Sequence, residues 1–299
     1  MPDTRASVVI LLTAYNGMEY IEEQLHSILQ QKSVDVTIFI SVDLSDDNTY
    51  EWCVSFSNIH SNINILSYGE RFGGAAPNFF RLIKDVDFSD FDYVAFSDQD
   101  DVWFSDKLSY SIKRMSAEGA DAYSASVIAF WKSGREKFID KSQEQRDFDY
   151  LFEAAGPGCT YVFTNKAASL IKYYLDSFPE LNGFILHDWL CYAVLRHNKY
   201  SWVIDSVPKM FYRQHDGNQV GANSSFKSMI YRVKYIWSGQ AFNSIKILAK
   251  VLDIPSAQMT SRMKVFKLAF SARQLRRRRI DQFYVFVALL IYAIKGSIK

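Results

Sequence analysis

Three aspartates fall within four residues of one another in Ser97-Asp98-Gln99-Asp100-Asp101-Val102-Trp103, directly after the apolar run Tyr93-Val94-Ala95-Phe96. Carboxylates crowded at the end of a buried strand repel one another, and a divalent cation relieves that repulsion. Their hard oxygens suit Mg²⁺ or Mn²⁺, and such an ion would hold a diphosphate through its oxygens. The competing explanation is an acidic turn that caps a helix starting near Ser105, since Asp is common at N-caps.

Four more segments carry groups that could act with this one. Asp43 follows Phe39-Ile40-Ser41-Val42, where it could accept from a pyrimidine N–H or a ribose hydroxyl, or serve as a turn residue. Gly73-Gly74-Ala75-Ala76-Pro77-Asn78 opens a helix with small residues, so its backbone could approach a ligand closely. It has neither the P-loop lysine nor the spaced glycines of a dinucleotide fingerprint. His187-Asp188-Trp189 precedes the apolar stretch Leu190–Leu195. Asp188 there is either that helix's N-cap or a general base for a hydroxyl, with Trp189 offering an apolar face to a sugar ring. Finally, Tyr212-Arg213-Gln214-His215-Asp216-Gly217-Asn218 gathers donors and acceptors before Gly221. Arg213 and His215 could neutralise a leaving diphosphate, or His215 could complete a metal shell.

The elements that must position these groups alternate. Ser7–Leu12, Val36–Val42, Ile63–Leu66 and Tyr93–Phe96 read as strands. Met18–Gln31, Phe79–Ile83 and Leu108–Met115 read as helices between and after them. Such βα alternation predicts an α/β fold with a mainly parallel sheet flanked by helices, whose ligands bind beyond the carboxyl ends of the strands. Thr13–Asn16, Asp43–Asp47 and Asp98–Asp101 all fall at those ends. Further on, Ala122–Trp131 and Cys159–Thr164 read as strands, Ala167–Leu175 and Trp189–His197 as helices, and Trp202–Tyr212 as extended chain. The charged stretch Lys132–Asp149 reads as a mobile surface loop.

At 299 residues and 48% hydrophobic the chain can bury a large core. Its three cysteines, Cys53, Cys159 and Cys191, are too few and too scattered for a disulfide scaffold or a zinc site, and fit a reducing compartment. Val8–Leu12 is too short for a signal-peptide core, which predicts a cytoplasmic catalytic part. The net charge of +1 conceals an asymmetry: from Lys227 onward the chain carries +13, and residues 1–226 carry −12. That pattern predicts an appended basic segment with an anionic partner.

Taken in order, Thr13-Ala14-Tyr15-Asn16-Gly17, Asp43, the Asp98–Trp103 motif, His187-Asp188-Trp189 and Tyr212–Asn218 resemble the inverting family 2 glycosyltransferases of the GT-A fold. Bacterial rhamnosyltransferases of polysaccharide assembly are the nearest pattern, and the resemblance spans about residues 7–221. It implies transfer of a sugar from a nucleoside diphosphate donor to a hydroxyl, with dTDP-β-L-rhamnose favoured and a UDP-hexose the alternative. It further implies that Thr13, Ala14, Tyr15, Asn16, Asp43 and Asn78 line the nucleotide pocket. Asp98, Gln99, Trp103, His187, Trp189, Gln214 and Asn218 would complete the substrate surface. Asp100 and Asp98, with His215, would hold Mg²⁺ or Mn²⁺; Asp188 would be the base, and Arg213 with His215 would help the diphosphate leave. One departure stands out: the family's paired aspartates before Gly-Ser are here Val42-Asp43-Leu44-Ser45.

The basic end reads as a second unit, residues 226–299 beside a catalytic 1–225. Arg273–Arg279 runs into the apolar Phe283–Ile294, which is shorter than the roughly 20 residues of a membrane span. With Met229, Ile230, Val233, Ile236 and Trp237 at helical spacing among cations, it predicts interfacial helices on an anionic membrane surface, or else a terminal helix packed on the domain. No nucleic-acid recognition fold accompanies the charge. The expected setting is the cytoplasmic face of the bacterial inner membrane, with a lipid-linked glycan of O-antigen or another surface polysaccharide as acceptor. A nucleotidyltransferase should show a Gly- and Lys-rich phosphate loop, which Leu11–Gly17 does not; a catalytically inactive sugar-nucleotide scaffold is the other rival.

Overall fold

The computed structural model describes residues 5–215, 240–254 and 261–295. Its main sheet is built on β1 (Ala6–Ala14), β2 (Val34–Val42), β3 (Ile63–Ile65) and β4 (Tyr93–Ser97). Beyond β4 lie β9 (Val162–Thr164), β6 (Ala122–Ala125) and β10 (Trp202–Asp205), giving the spatial order β10-β6-β9-β4-β1-β2-β3. Six strands are parallel and β9 alone runs against its neighbours. The expected mainly parallel sheet is thus the one found.

β1 explains its own place. Val8, Ile10 and Leu12 face one core cluster and Val9 and Leu11 the other, so the strand is buried on both faces and reads as an unbroken apolar run. Helices α1 (Ile21–Leu29), α2 (Thr49–Ser57) and α3 (Ala75–Asp85) follow β1, β2 and β3. α4 (Lys107–Glu118) ends at Gly119, whose φ of +60° is the left-handed turn that glycine adopts without penalty. α5 (Asn165–Ser177) is capped by the Thr164 hydroxyl, which accepts from Ala167 N–H. α6 (His187–His197) completes the catalytic half.

Two expectations change here. Ala122–Trp131 is not one strand: it breaks at Ser126, and its second part, β7 (Val127–Trp131), leaves for another sheet. That smaller sheet has the order β5-β11-β7-β8, with β5 (Val102–Trp103), β8 (Glu136–Ile139) and β11 (Met210–Gln214). Consequently Lys132–Asp149 is no mobile loop. It contains β8, and Asp149 is fully buried with Tyr192 donating to it at 2.9 Å.

The basic end joins the same body. α7 (Gln240–Val251), α8 (Arg262–Ala269), α9 (Ala272–Leu275) and α10 (Arg279–Lys295) contribute Phe242, Leu248, Val265, Leu275 and Leu289 to the core that also holds Phe79 and Leu190. Arg277, read as a headgroup-facing cation, is buried instead: its guanidinium lies 3.5 Å from both Asp149 and Glu153. No helix among the described residues is long and apolar enough to cross a membrane. The stretch containing Met229–Trp237 lies outside the described residues, as do Asp216, Gly217, Asn218 and Gly221.

Candidate active site

Strands β4, β1 and β2 are adjacent and end level with one another, Leu12 opposite Ser97 and Ala14 opposite Val42. Thr13, Ala14, Asp43 and the acidic motif therefore emerge along one edge, where ligands of such sheets bind. Backbone-to-side-chain bonds then lock the loops together. Asn16 N–H donates to Ser45 Oγ, Gly17 N–H to Thr49 Oγ1, and Asp46 N–H to Asn16 Oδ1. Gln99 grips Tyr15 from both sides, its Oε1 accepting from Tyr15 N–H at 2.7 Å and its Nε2 donating to Tyr15 C=O at 2.8 Å. Gly17 is small for a reason: a Cβ there would collide with the Gln99 amide. Gln99 thus holds Tyr15, whose side chain remains exposed.

Asp43 is buried, with Oδ1 accepting from Leu44 and Phe72 N–H and Oδ2 from Gly73 N–H, all at 2.8–2.9 Å. It pins the small-residue loop to the strand end and leaves acceptor capacity on Oδ2. Asn78 is likewise buried, donating to Ser41 C=O at 3.0 Å, while its Oδ1 has no partner.

The acidic motif brings two of its carboxylates, Asp98 and Asp101, into one space. Burial, then the neighbouring Asp100 and Asp188 charges, push Asp98 up to about 7. Asp101 is fully buried and held well above the usual carboxylate range by burial and by Asp100; its Oδ1 accepts from Arg213 N–H at 3.1 Å, and its Oδ2 is buried without a hydrogen-bond partner. Cys159, fully buried, brings its sulfur into the same space as Asp98 and Asp101, all ligand atoms within 4.8 Å. Lys107 lies beneath, its ammonium 3.4 Å over the Trp103 ring and lowered to about 7 by burial. Trp103 itself is buried, a wall of the core and not an exposed sugar platform.

β5 follows the motif immediately and pairs antiparallel with β11, Phe211 opposite Val102. That pairing returns Arg213 and His215 to the acidic cluster from more than a hundred residues away. His215 Nε2 stands 2.7 Å from Asp100 Oδ2, and its ring packs 4.9 Å from Tyr20. Arg213 Nε donates to Asp100 C=O at 2.7 Å, its terminal nitrogen pairs with Glu23, and its guanidinium lies between the Tyr20 and Phe130 rings. Arg213 therefore braces the motif. Gln214 is buried, donating to Arg213 C=O. Tyr20 and Glu23 escaped the sequence reading because nothing local marks them; the β5–β11 pairing brings Arg213 and His215 to them. His215 and Asp100 set an imidazole nitrogen beside a carboxylate oxygen. The one group of three candidate ligand atoms within 4.8 Å of one another among the described residues is Asp98, Asp101 and Cys159, whose two carboxylates supply the hard oxygens that suit Mg²⁺ or Mn²⁺. The Cys159 thiol suits such an ion poorly.

His187-Asp188-Trp189 opens α6 with three different fates. The His187 ring stacks 4.0 Å from Phe79 and presses on Gly158, where any Cβ would collide with it. Burial lowers it to about 3, so it is neutral at physiological pH, and its Nε2 has no partner. Trp189 is 5% exposed and donates to Tyr150 C=O at 2.9 Å, so the indole expected beside a sugar belongs to the core. Asp188 is half-buried in the helix's first turn, where it accepts from Trp189 N–H at 2.7 Å. Burial pushes it up to about 6 against the opposing effects of that bond and of Lys141. A carboxylate with that affinity is ionised near neutrality yet more basic than an ordinary Asp, which suits a general base.

Comparison with known proteins bears on the fold and the family. Residues 9–175 match the sequence profile of Glycosyl transferase family 2. Over 288 residues, 94% of this chain and 99% of the relative, the sequence is 44% identical to the dTDP-rhamnosyl transferase RfbG of Shigella flexneri. Among solved structures, residues 1–349 of S. aureus TarS in complex with UDP give a TM-score of 0.57 at 14% identity, covering 97% of this chain and 92% of that one. The mannosyltransferase PcManGT from Pyrobaculum calidifontis, in complex with GDP-Man and Mn²⁺, gives 0.52 at 15% identity, covering 98% and 88%. At such identities the two structures speak to fold.

Proposed function

The chain belongs to glycosyl transferase family 2, with a GT-A fold, and from that premise we propose that it transfers L-rhamnose from dTDP-β-L-rhamnose, with inversion, to a hydroxyl of a lipid-linked glycan in bacterial surface-polysaccharide assembly. The observation that carries the reading is the acidic motif at the strand ends. There the Asp98 and Asp101 carboxylates lie within 4.8 Å of each other, His215 Nε2 stands 2.7 Å from Asp100, and the Asp188 charge is felt at Asp98. The donor assignment is supported by the 44% identity to a dTDP-rhamnosyl transferase over nearly the whole chain.

In this reading Asp43 and the Thr13–Asn16 edge receive the nucleotide, and Gln99 fixes the backbone of Tyr15 against it. Asp100, Asp98 and His215 would hold Mg²⁺ or Mn²⁺, which supplies positive charge to the departing diphosphate. Asp188 takes the proton of the acceptor hydroxyl as its oxygen bonds to the anomeric carbon and the bond to dTDP breaks. Attack from the face opposite the leaving group inverts the centre, so a β-L-donor yields an α-L-rhamnoside. Glu23 and Tyr20 keep Arg213 and His215 in place throughout.

The membrane side of the proposal rests on α8 and α10. Phe266, Phe270, Phe283, Tyr284, Ile291 and Ile294 are exposed, and the Phe270 ring touches both Phe266 and Phe286 across the two helices. Arg262, Lys264, Lys267, Arg273, Arg278 and Arg279, on or next to the same helices, are exposed as well. Exposed aromatic and aliphatic residues on helices that also carry exposed cations fit an anionic bilayer surface, each cation contributing on the order of 1 kcal/mol. Three free cysteines fit the cytoplasmic side. The test is product stereochemistry: dTDP-β-L-rhamnose and a membrane extract should yield an α-L-rhamnoside by NMR, and a β-product would refute inversion.

A further inference from the structure

One guanidinium ties together the segments behind the small-residue loop. Arg81 sits in α3 between the buried Phe80 and Leu82, and its own side chain is 10% exposed. Its Nη1 donates to Ser41 Oγ at 3.1 Å, near the end of β2. Its Nη2 donates to both the C=O and the Oγ of Ser67, each at 2.7 Å, in the chain that leaves β3. Nε donates to Asp85 at 3.2 Å, one turn along the same helix. So anchored, the guanidinium carbon lies over the Phe72 ring, 5.1 Å from its centre. Phe72 is half-buried, and its backbone N–H donates to Asp43 Oδ1 at 2.8 Å while that of Gly73 donates to Oδ2 at 2.9 Å. Whatever fixes Phe72 therefore fixes the loop that is bound to Asp43. Each of the three Arg81 nitrogens already has a protein partner, which marks this residue as a support and not a phosphate contact.

We propose that Arg81 is a positioning residue for the nucleoside half of the donor: held by Ser41, Ser67 and Asp85, it backs the Phe72 ring and so sets the loop that grips Asp43. The inference rests on the glycosyltransferase reading, in which Asp43 receives the nucleotide. It separates two parts of donor binding. The acidic motif follows β4, on the far side of β1 from β2, so removing the Arg81 fork should loosen the nucleoside contact and spare the diphosphate. A planar guanidinium suits this place because it can stack on a ring with its face while its edge donates to several oxygens at once.

The test titrates dTDP and inorganic pyrophosphate, at constant Mg²⁺, into the full chain and into Arg81→Met, Arg81→Lys, Phe72→Ala and the Arg81→Met, Phe72→Ala double variant. Arg81→Met keeps an unbranched stem and removes the fork. It should bind dTDP about tenfold more weakly, the scale of one desolvated cation–π contact, and bind pyrophosphate as the parent does, which also shows that it is folded. In transfer, the KM for dTDP-rhamnose should rise by the same factor with kcat unchanged. Arg81→Lys, which keeps a cation for Ser67 and the ring, should recover most of the affinity. Because Arg81 acts through Phe72, the double variant should lose little more than Phe72→Ala alone. Parental dTDP affinity in Arg81→Met overturns the proposal, as does equal loss of dTDP and pyrophosphate, or losses that add in the double variant. A parent protein that neither binds dTDP nor releases it from dTDP-rhamnose refutes the transferase reading itself, which separates the two failures.

Discussion

Replacing Asp188 by Asn should abolish transfer and stabilise the protein at the same time. Asn keeps an Oδ1 to accept the Trp189 N–H bond of 2.7 Å and removes the charge. Burial has moved this carboxyl from 3.8 to about 6, a cost to folding of at most roughly 3 kcal/mol once it is ionised, at about 1.4 kcal/mol per tenfold change in proton affinity. The sign follows from the direction. Below pH 3.8 the carboxyl is protonated whether folded or not and costs nothing; the cost grows as pH rises through about 6 and is complete above it. Asp188→Asn should therefore unfold at higher urea at neutral pH, and the advantage should vanish near pH 4. Rhamnose transfer should fall by about 10²–10⁴, the usual worth of a general base, with dTDP affinity unchanged. In the parent, transfer should rise with pH through about 6. A variant that transfers at the parental rate would refute the base assignment, and one less stable at neutral pH would refute the account of its burial.

Three further outcomes follow from the same geometry. Asp100→Asn should lose divalent-cation-dependent dTDP release yet unfold like the parent; release at the parental rate excludes it from the diphosphate site. Arg277→Gln leaves Asp149 buried beside one fewer cation and should cost about 3–5 kcal/mol in urea unfolding, so a neutral result would mean that the basic end is not integral to the fold. Gly17→Ala pushes the Gln99 amide off Tyr15 and should raise the KM for donor with little change in Tm; an unchanged KM would detach Gln99 from donor binding.

Much of the catalytic half was legible because each strand there has local causes. β1, β2 and β4 are continuous apolar runs, and the polar residues that end them mark the ligand edge. What could not be read was the pairing of distant segments. Nothing in Val102-Trp103 announces a strand, yet its pairing with Met210-Phe211 brings His215 to Asp100. Ser126 looks like any residue in an apolar run, although the chain changes sheets there. Trp103 and Trp189 match an expected motif by type, but burial gives them to the core. Arg277 misled in the same way: charge alone suggested solvent, and the buried Asp149 and half-buried Glu153 that accept it lie over a hundred residues earlier.

Donor turnover tests the central claim most directly. The purified chain, with membrane extract as acceptor source, is given dTDP-rhamnose and a panel of UDP-, GDP- and other dTDP-sugars, with Mg²⁺, with Mn²⁺ and with EDTA. Release of nucleoside diphosphate from dTDP-rhamnose alone, abolished by EDTA, is the predicted result. Release from a UDP-hexose in its place, or from no sugar nucleotide at all, would contradict it.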